Sequence, residues 1–299
     1  MPYCYNRIMS VHGFRLTSKR ILSFDPSASS LDELTGRVSD GFYSTFTTLS
    51  GGTRVLGLRA HLKRLYGPAR KFHIHPAVNQ ATLRRYIAEL AAANRPGESR
   101  IRLILTKDRG DMYLGILPFT PLSESVYRDG VQVVTAEMAR HDPRIKGTDF
   151  IAQSAGLRKL IAGGVYEALL TRDGKILEGM TSNFYAVISA TESKVSQLLE
   201  SQSKLCGTLV TAQKGILLGV TRRVVIRLAR GEGMRIEYRP PRVDEDFDEA
   251  FLTSSSRGVV PIVAIDGKPV GQGRPGAQTK RLSLAYQAYV RERSEEIFS

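Results

Sequence analysis

Residues 177–184, Leu177-Glu178-Gly179-Met180-Thr181-Ser182-Asn183-Phe184, place one carboxylate, one glycine and two hydroxyls in a single short stretch. It leads into 183–188, an aromatic and β-branched run that reads as a strand. Asp173-Gly174 just upstream marks a tight reversal, so the simplest reading is a hairpin whose exit carries an exposed Glu178. The residue types also suit a more specific task. A carboxylate held against a heteroaromatic nitrogen keeps that ring protonated and makes it an electron sink. Thr181, Ser182 and the amides of a glycine-containing turn suit a phosphate group.

Upstream, Lys146 follows His141-Asp142-Pro143-Arg144-Ile145 and precedes Gly147-Thr148-Asp149-Phe150. Most lysines are solvated surface charges. This one precedes a turn and a helical pattern, so it sits at a junction and not on a helix face. A lysine so placed can be desolvated enough to act as a nucleophilic amine near neutral pH. Downstream, Gly215-Ile216-Leu217-Leu218-Gly219-Val220-Thr221-Arg222 runs into another helical pattern, with Thr221 as the expected N-cap. The free amides of a helix start favour an anion, although alone this segment says only that a capped helix begins here.

Around these segments the periodicity divides the chain. Extended runs are expected at 41–49 and 53–58, turned by Gly51-Gly52, with helices at 60–72 and 81–94 and strands at 100–106 and 111–117. Residues 1–30 read as irregular loop, and 1–120 as a small N-terminal α+β domain. Pro121 and its polar neighbours mark 118–130 as linker, with 121–130 the interdomain segment proper. Residues 131–299 read as a larger C-terminal domain. Its elements are strands at 131–137, 183–188, 249–253 and 259–265, a helix from Thr221 to before Gly231, and a last helix at 280–293. Leu157, Leu160, Ile161 and Val165 predict a further helix over 154–171.

Composition excludes several classes. No stretch of the 299 residues approaches the roughly 18 apolar positions of a membrane span, and the first residues lack a secretory pattern. Cys4 and Cys206 are far apart and without metal-ligand spacing. A disulfide scaffold and a metal site are therefore not expected, and the reducing cytoplasm is the expected compartment. The net charge of +14 raises the question of nucleic acid. The basic residues alternate with apolar ones, form no block of like charge and accompany no aromatic platform. They read as a solvated surface that attracts small anions and not nucleic acid.

Taken together, Lys146, Glu178 to Asn183 and residues 215–222 occur in the order and spacing of class-IV (fold-type IV) pyridoxal-phosphate-dependent aminotransferases, and the chain resembles that family. The family includes branched-chain aminotransferases, D-amino-acid aminotransferases and aminodeoxychorismate lyases. Asp40-Gly41-Phe42-Tyr43 and His61-Leu62-Lys63-Arg64-Leu65 resemble its N-terminal signature. Phe251-Leu252-Thr253-Ser254-Ser255-Ser256-Arg257-Gly258 resembles its C-terminal motif, and Pro275-Gly276 with Thr279-Lys280-Arg281 the run into its last helix.

The resemblance implies a two-domain α+β fold, with pyridoxal 5'-phosphate in the cleft between a small and a large domain and a homodimer completing the site. Lys146 would hold the cofactor as an internal aldimine and shuttle a proton. Glu178 would pair with the pyridine nitrogen, and Arg64 would grip the phosphate with its fork of donors. Val220, Thr221 and Ser255 would complete the phosphate cup, with Thr181, Ser182 and Asn183 beside them. Tyr43, Arg100, Arg102 and Ser256 are the candidate substrate contacts; strand alternation puts the two arginines on one side.

The resulting expectation is transamination between an amino acid, branched-chain or otherwise aliphatic, and a 2-oxo acid. Ser44 stands where the family signature often has glutamate, a small hydroxyl that resembles the lyases, and Phe150 where a tyrosine is common. Release of pyruvate from aminodeoxychorismate is therefore the alternative expectation. A non-catalytic basic binding protein lies outside both.

Overall fold

The computed structural model describes residues 11–25, 27–189 and 207–297, so Cys4 and Cys206 lie outside the described residues. Two compact units form. The first combines Met1–Thr120, Ile145–Ala152 and Ser294–Ser299; the second combines Pro121–Arg144 and Gln153–Arg293.

In the first unit, β3 (Gly41–Leu49) and β5 (Glu98–Thr106) form the centre of an antiparallel sheet. β6 (Met112–Phe119), β1 (His12–Leu16) and β2 (Ile21–Phe24) extend it on one side, and β4 (Arg54–Val55) with Glu295–Glu296 on the other. α2 (Leu58–Lys71) turns Leu58, Leu62, Leu65 and Ala69 inward at helical spacing, and α3 (Gln80–Ala92) does so with Leu83, Ile87 and Ala91. These meet Phe42, Phe46, Ile101, Leu103 and Leu105 in one core.

Two expectations change here. Residues 11–24 are not irregular loop, because β1 and β2 pair as a hairpin on the sheet edge. Gly13 and Gly115 stand opposite one another in β1 and β6, and a Cβ on either would run into Leu34 of α1 (Leu31–Gly36). Two glycines thus open a seat for that short helix. The extended run expected at 53–58 shrinks to Arg54–Val55, because Gly57 adopts a left-handed φ of 68° and turns the chain into α2.

The lysine segment completes this unit, although the sequence assigns it to the C-terminal half. β4 covers β3 only at Thr48 and Leu49, and Gly147 forms a bridge with Phe42 at the other end. Tyr43 N–H donates to the Lys146 carbonyl at 2.9 Å, and Thr148 N–H donates to the Gly41 carbonyl at 2.9 Å. The Thr148 hydroxyl accepts from Gly41 N–H at 2.8 Å. Open backbone on a strand edge takes whatever segment can pair with it. Here that segment carries Lys146 and leads into α5 (Asp149–Gln153).

The second unit opens with α4 (Glu124–Asp129), so the expected linker contains a helix. β7 (Val131–Glu137) pairs in parallel with β8 (Val165–Arg172) and with β14 (Gly258–Ile265). β9 (Lys175–Gly179) lies beyond β8, while β13 (Glu249–Ser254), β10 (Asn183–Ile188), β11 (Thr208–Val210) and β12 (Arg235–Glu237) continue beyond β14. Phe184, Ala186, Leu169, Leu252, Val260 and Ile262 form the core.

The helix expected over 154–171 is a 3₁₀ turn, Ala155–Leu160, followed by strand β8. Gly163 and Gly164 take φ of 60° and 94°, which ends any helical run. β8 is buried at five successive positions, Glu167 to Thr171, so it lacks the period-two signature of a half-buried strand.

A Cβ at Gly41 would collide with the Leu105 carbonyl on the neighbouring strand. Gly41→Ala is expected to destabilise the protein by about 1–3 kcal/mol through overpacking. Hydrogen exchange should then accelerate at the Thr148 and Tyr43 amides; protection equal to the wild type there would refute this account of the lysine segment.

Candidate active site

Within the first unit, Lys146 is half-buried, and its Nζ lies 4.4 Å from the centroid of the Tyr43 ring. The Arg102 guanidinium carbon lies 5.0 Å from the same centroid. An aromatic face attracts cations by its quadrupole, so one ring draws two basic side chains to it. Arg102 is otherwise committed to its own unit. Its Nη1 donates to the Leu31 carbonyl at 2.9 Å, to Asp32 at 2.6 Å and to the Thr35 hydroxyl at 3.0 Å. Its Nε donates to the Thr45 hydroxyl at 3.1 Å. Arg100, two residues earlier on β5, and Arg64 on α2 are half-buried. Ser44 is wholly buried and sits 2.8 Å from His61 Nδ1.

In the second unit Glu178 is the penultimate residue of β9 and is buried, contrary to the exposed hairpin exit that its neighbours suggest. Arg140 Nε meets one carboxylate oxygen at 2.7 Å, with side-chain exposures of 3% and 2% for the pair. The other oxygen accepts from Leu217 N–H at 3.1 Å and from the Asn183 amide at 3.4 Å. Asn183 also donates to the Leu217 carbonyl at 2.8 Å, and Arg140 Nη2 to the Met180 carbonyl at 3.2 Å. A Cβ at Gly219 would strike the Asn183 amide oxygen, so the glycine lets the two segments close on each other.

The helix α6 (Val220–Gly231) follows directly. Its N-cap is Gly219, without a side-chain capping bond, and Thr221 is the second helical residue and buried, not the cap itself. The first amides of a helix have no intrahelical acceptor, and the dipole there favours negative charge. Arg222 in the same turn is buried and donates to the Ala212 carbonyl at 2.7 Å and to Gln213 at 3.0 Å. Burial pushes its pKa below the ordinary arginine value.

Ser182 contributes a buried hydroxyl oxygen with no hydrogen-bond partner among the described residues. Thr181 is exposed, and its N–H and hydroxyl both donate to Glu167, at 2.6 and 3.0 Å. Ser255 and Ser256 are half-buried in the tight loop between β13 and β14. An unsatisfied buried hydroxyl, an uncapped helix start and a fixed buried carboxylate fit a group with a phosphate and a basic ring nitrogen. Among the described residues no cluster of three or more His, Cys, Asp or Glu could hold a metal, and no helix is long and apolar enough to cross a membrane.

Arg140, Glu167 and Arg257 are absent from the sequence-based list. Nothing about an arginine between a strand end and a loop signals burial, so Arg140 had no legible mark. Glu167 had one, a carboxylate inside Tyr166-Glu167-Ala168-Leu169-Leu170. The mark is lost when that segment is read as a helix.

A family model described as "Amino-transferase class IV" matches residues 41–265. A D-alanine aminotransferase of Bacillus licheniformis is 28% identical over 286 residues, covering 91% of this chain and 95% of its own length. A branched-chain-amino-acid aminotransferase of Pseudomonas aeruginosa is 25% identical over 273 residues, covering 82% and 81%. The fold is shared with the crystal structure of a putative branched-chain amino acid aminotransferase from Thermotoga maritima, at a TM-score of 0.71 and 24% identity, over 93% of this chain and 96% of that one.

Removing one partner of a buried ion pair leaves the other uncompensated. Arg140→Met should lower unfolding stability by about 3–5 kcal/mol, and adding Glu178→Gln should recover part of that loss. Denaturant melts of the two single variants and the double variant check this; strictly additive losses would mean the pair is not coupled.

Proposed function

This chain belongs to the class IV aminotransferase family, whose enzymes depend on pyridoxal phosphate, and we propose that it transfers the amino group of an aliphatic amino acid, branched-chain ones first, to a 2-oxo acid. The observation that carries the reading is the buried Glu178 carboxylate, fixed by Arg140, Leu217 N–H and Asn183. A carboxylate held ionised in this way stabilises a proton on a ring nitrogen brought against it. Bound pyridoxal phosphate supplies an electron sink for the pair left when a proton leaves the amino acid's α-carbon.

The remaining roles fall to this chain's own groups. Lys146 supplies the amine that anchors the cofactor covalently, and it carries the proton to and from the substrate's α-carbon. Its half-buried setting beside the Tyr43 ring supports this, because the side chain is held in place and partly out of solvent. Ser182, the amides of Val220 and Thr221, the Thr221 hydroxyl and Ser255 bind phosphate, with Thr181 held beside them by Glu167, and Arg64 adds positive charge. Tyr43, Arg100 and Ser256 contact the substrate. Arg102, held by Asp32 and Thr35, orients the Tyr43 ring.

The alternative reading, release of pyruvate from aminodeoxychorismate, rests on Ser44, which is buried against His61. The similarity to D-alanine aminotransferases makes D-alanine the second donor to try.

The test is the absorption of the purified protein in the near-ultraviolet and violet, recorded alone and after adding L-leucine, L-valine or D-alanine. A cofactor band should move to shorter wavelength with one donor and return when 2-oxoglutarate is added. Lys146→Ala should lose the lysine-bound band and reduce turnover by at least roughly 10²–10⁴-fold. Pyruvate formed without any oxo-acid acceptor would establish the lyase instead. A protein that develops no band even after incubation with pyridoxal phosphate would overturn the reading altogether.

A further inference from the structure

Arg257 has no part in the roles above, yet three of its nitrogens are engaged. Nη1 lies 2.8 Å from a Glu167 carboxylate oxygen, Nη2 donates to the Thr181 hydroxyl at 2.6 Å, and Nε donates to the Ser254 hydroxyl at 2.9 Å. The second Glu167 oxygen accepts from the Thr181 amide and hydroxyl. The Arg257 carbonyl accepts from the Tyr127 hydroxyl at 2.8 Å, which ties the loop backbone to α4. Every group in this cluster lies within the second unit.

Two features separate this cluster from an ordinary surface ion pair. Glu167 has 2% side-chain exposure and Arg257 19%, so water and salt screen the pair little. Burial alone would lower the guanidinium pKa, and the neighbouring Glu167 outweighs it, so Arg257 is held above its ordinary value and stays charged. The connectivity is also specific. Ser254 to Gly258 is a tight hairpin, closed by the Arg257 N–H to Ser254 carbonyl bond and by Gly258 at a φ of 65°. Thr181 belongs to the Glu178–Asn183 turn, where Gly179 lies so close to Glu167 that a Cβ would come within 2.8 Å of its oxygen.

We propose that Arg257 is a positioning residue that staples the turn bearing Ser255 and Ser256 to the turn bearing Thr181 and Ser182. It thereby sets the spacing between the phosphate-binding hydroxyls of the two turns. This rests on the cofactor assignment of the preceding subsection. A lysine cannot replace the staple, because reaching Glu167, Thr181 and Ser254 together requires the planar fork of guanidinium donors.

Apo-protein titrated with pyridoxal phosphate and separately with pyridoxal, which lacks the phosphate, tests the idea by absorbance. Arg257→Lys and Arg257→Ala should each weaken pyridoxal phosphate binding roughly tenfold or more, the scale of losing charge-assisted hydrogen bonds. Their affinity for pyridoxal should stay within about twofold of the wild type, since no phosphate is involved. A merely structural defect would weaken both ligands together, and that result overturns the proposal. So does an Arg257→Lys protein that binds pyridoxal phosphate as tightly as the wild type. Should Arg257→Ala fail to fold, Arg257→Lys, which keeps the charge beside Glu167, decides the matter alone. A wild-type protein that takes up neither ligand overturns the cofactor reading itself, whereas wild-type uptake with unchanged variants overturns only the staple.

Discussion

Compensating the Glu178 carboxylate out of water is the constraint around which the second unit is arranged. An isolated buried carboxylate costs several kcal/mol and would ordinarily take up a proton. Here the Arg140 guanidinium, the Leu217 amide and the Asn183 side chain share that cost. Each partner in turn imposes a demand on the chain. The Leu217 amide has to arrive from the segment that enters α6, which requires Gly219 where that segment passes Asn183. The Asn183 amide has to turn inward at the first position of β10. The motifs flanking Glu178 therefore read as the packing requirements of one charge.

Arginine burial recurs. Arg102, Arg140 and Arg222 are buried, and Arg257 is largely so. Each has a distinct set of acceptors, namely the carbonyl and hydroxyl oxygens of α1, the Glu178 carboxylate, the loop at Ala212 and Gln213, and the Glu167 cluster. A net charge of +14 invites the reading of a uniformly solvated basic surface. That reading holds for the helix faces and fails for these four, because sequence reports charge and not the acceptors that chain folding brings to it. The guanidinium tolerates such sites better than an ammonium, since its charge is delocalised and its donors are fixed in a plane.

The same distinction explains what was legible beforehand. Elements with a strong internal period, such as α2, α3 and β7, stand within a few residues of expectation, because one face meets a core and the other is more exposed. β8 has no such contrast, being buried along most of its length, and its sequence reads as part of a helix. The β1 strand was missed because its pattern is interrupted by Gly13, whose purpose is visible only once Leu34 is seen against it. At the site, the turn holding Glu178 and the helix entry at 219–221 carry residue types that announce themselves. The cap at Gly219 in place of Thr221, the Ser44–His61 contact and the partners of Arg102 depend on side-chain surroundings, which spacing does not encode.

Tyr43 shows how far that dependence reaches. Its backbone N–H bonds the Lys146 carbonyl while its ring meets the Lys146 ammonium, so both ends of the lysine are referred to one residue of β3. Behind the ring stands Arg102, and behind Arg102 stand Leu31, Asp32 and Thr35 of α1. α1 in turn rests on the two glycines at 13 and 115, which leave room for its leucines. A helix of six residues, from a region that the sequence leaves without structure, thus acts on the lysine through two side chains. Because α1 reaches Lys146 through Arg102 and the Tyr43 ring, a change in α1 acts on the lysine by tilting that ring.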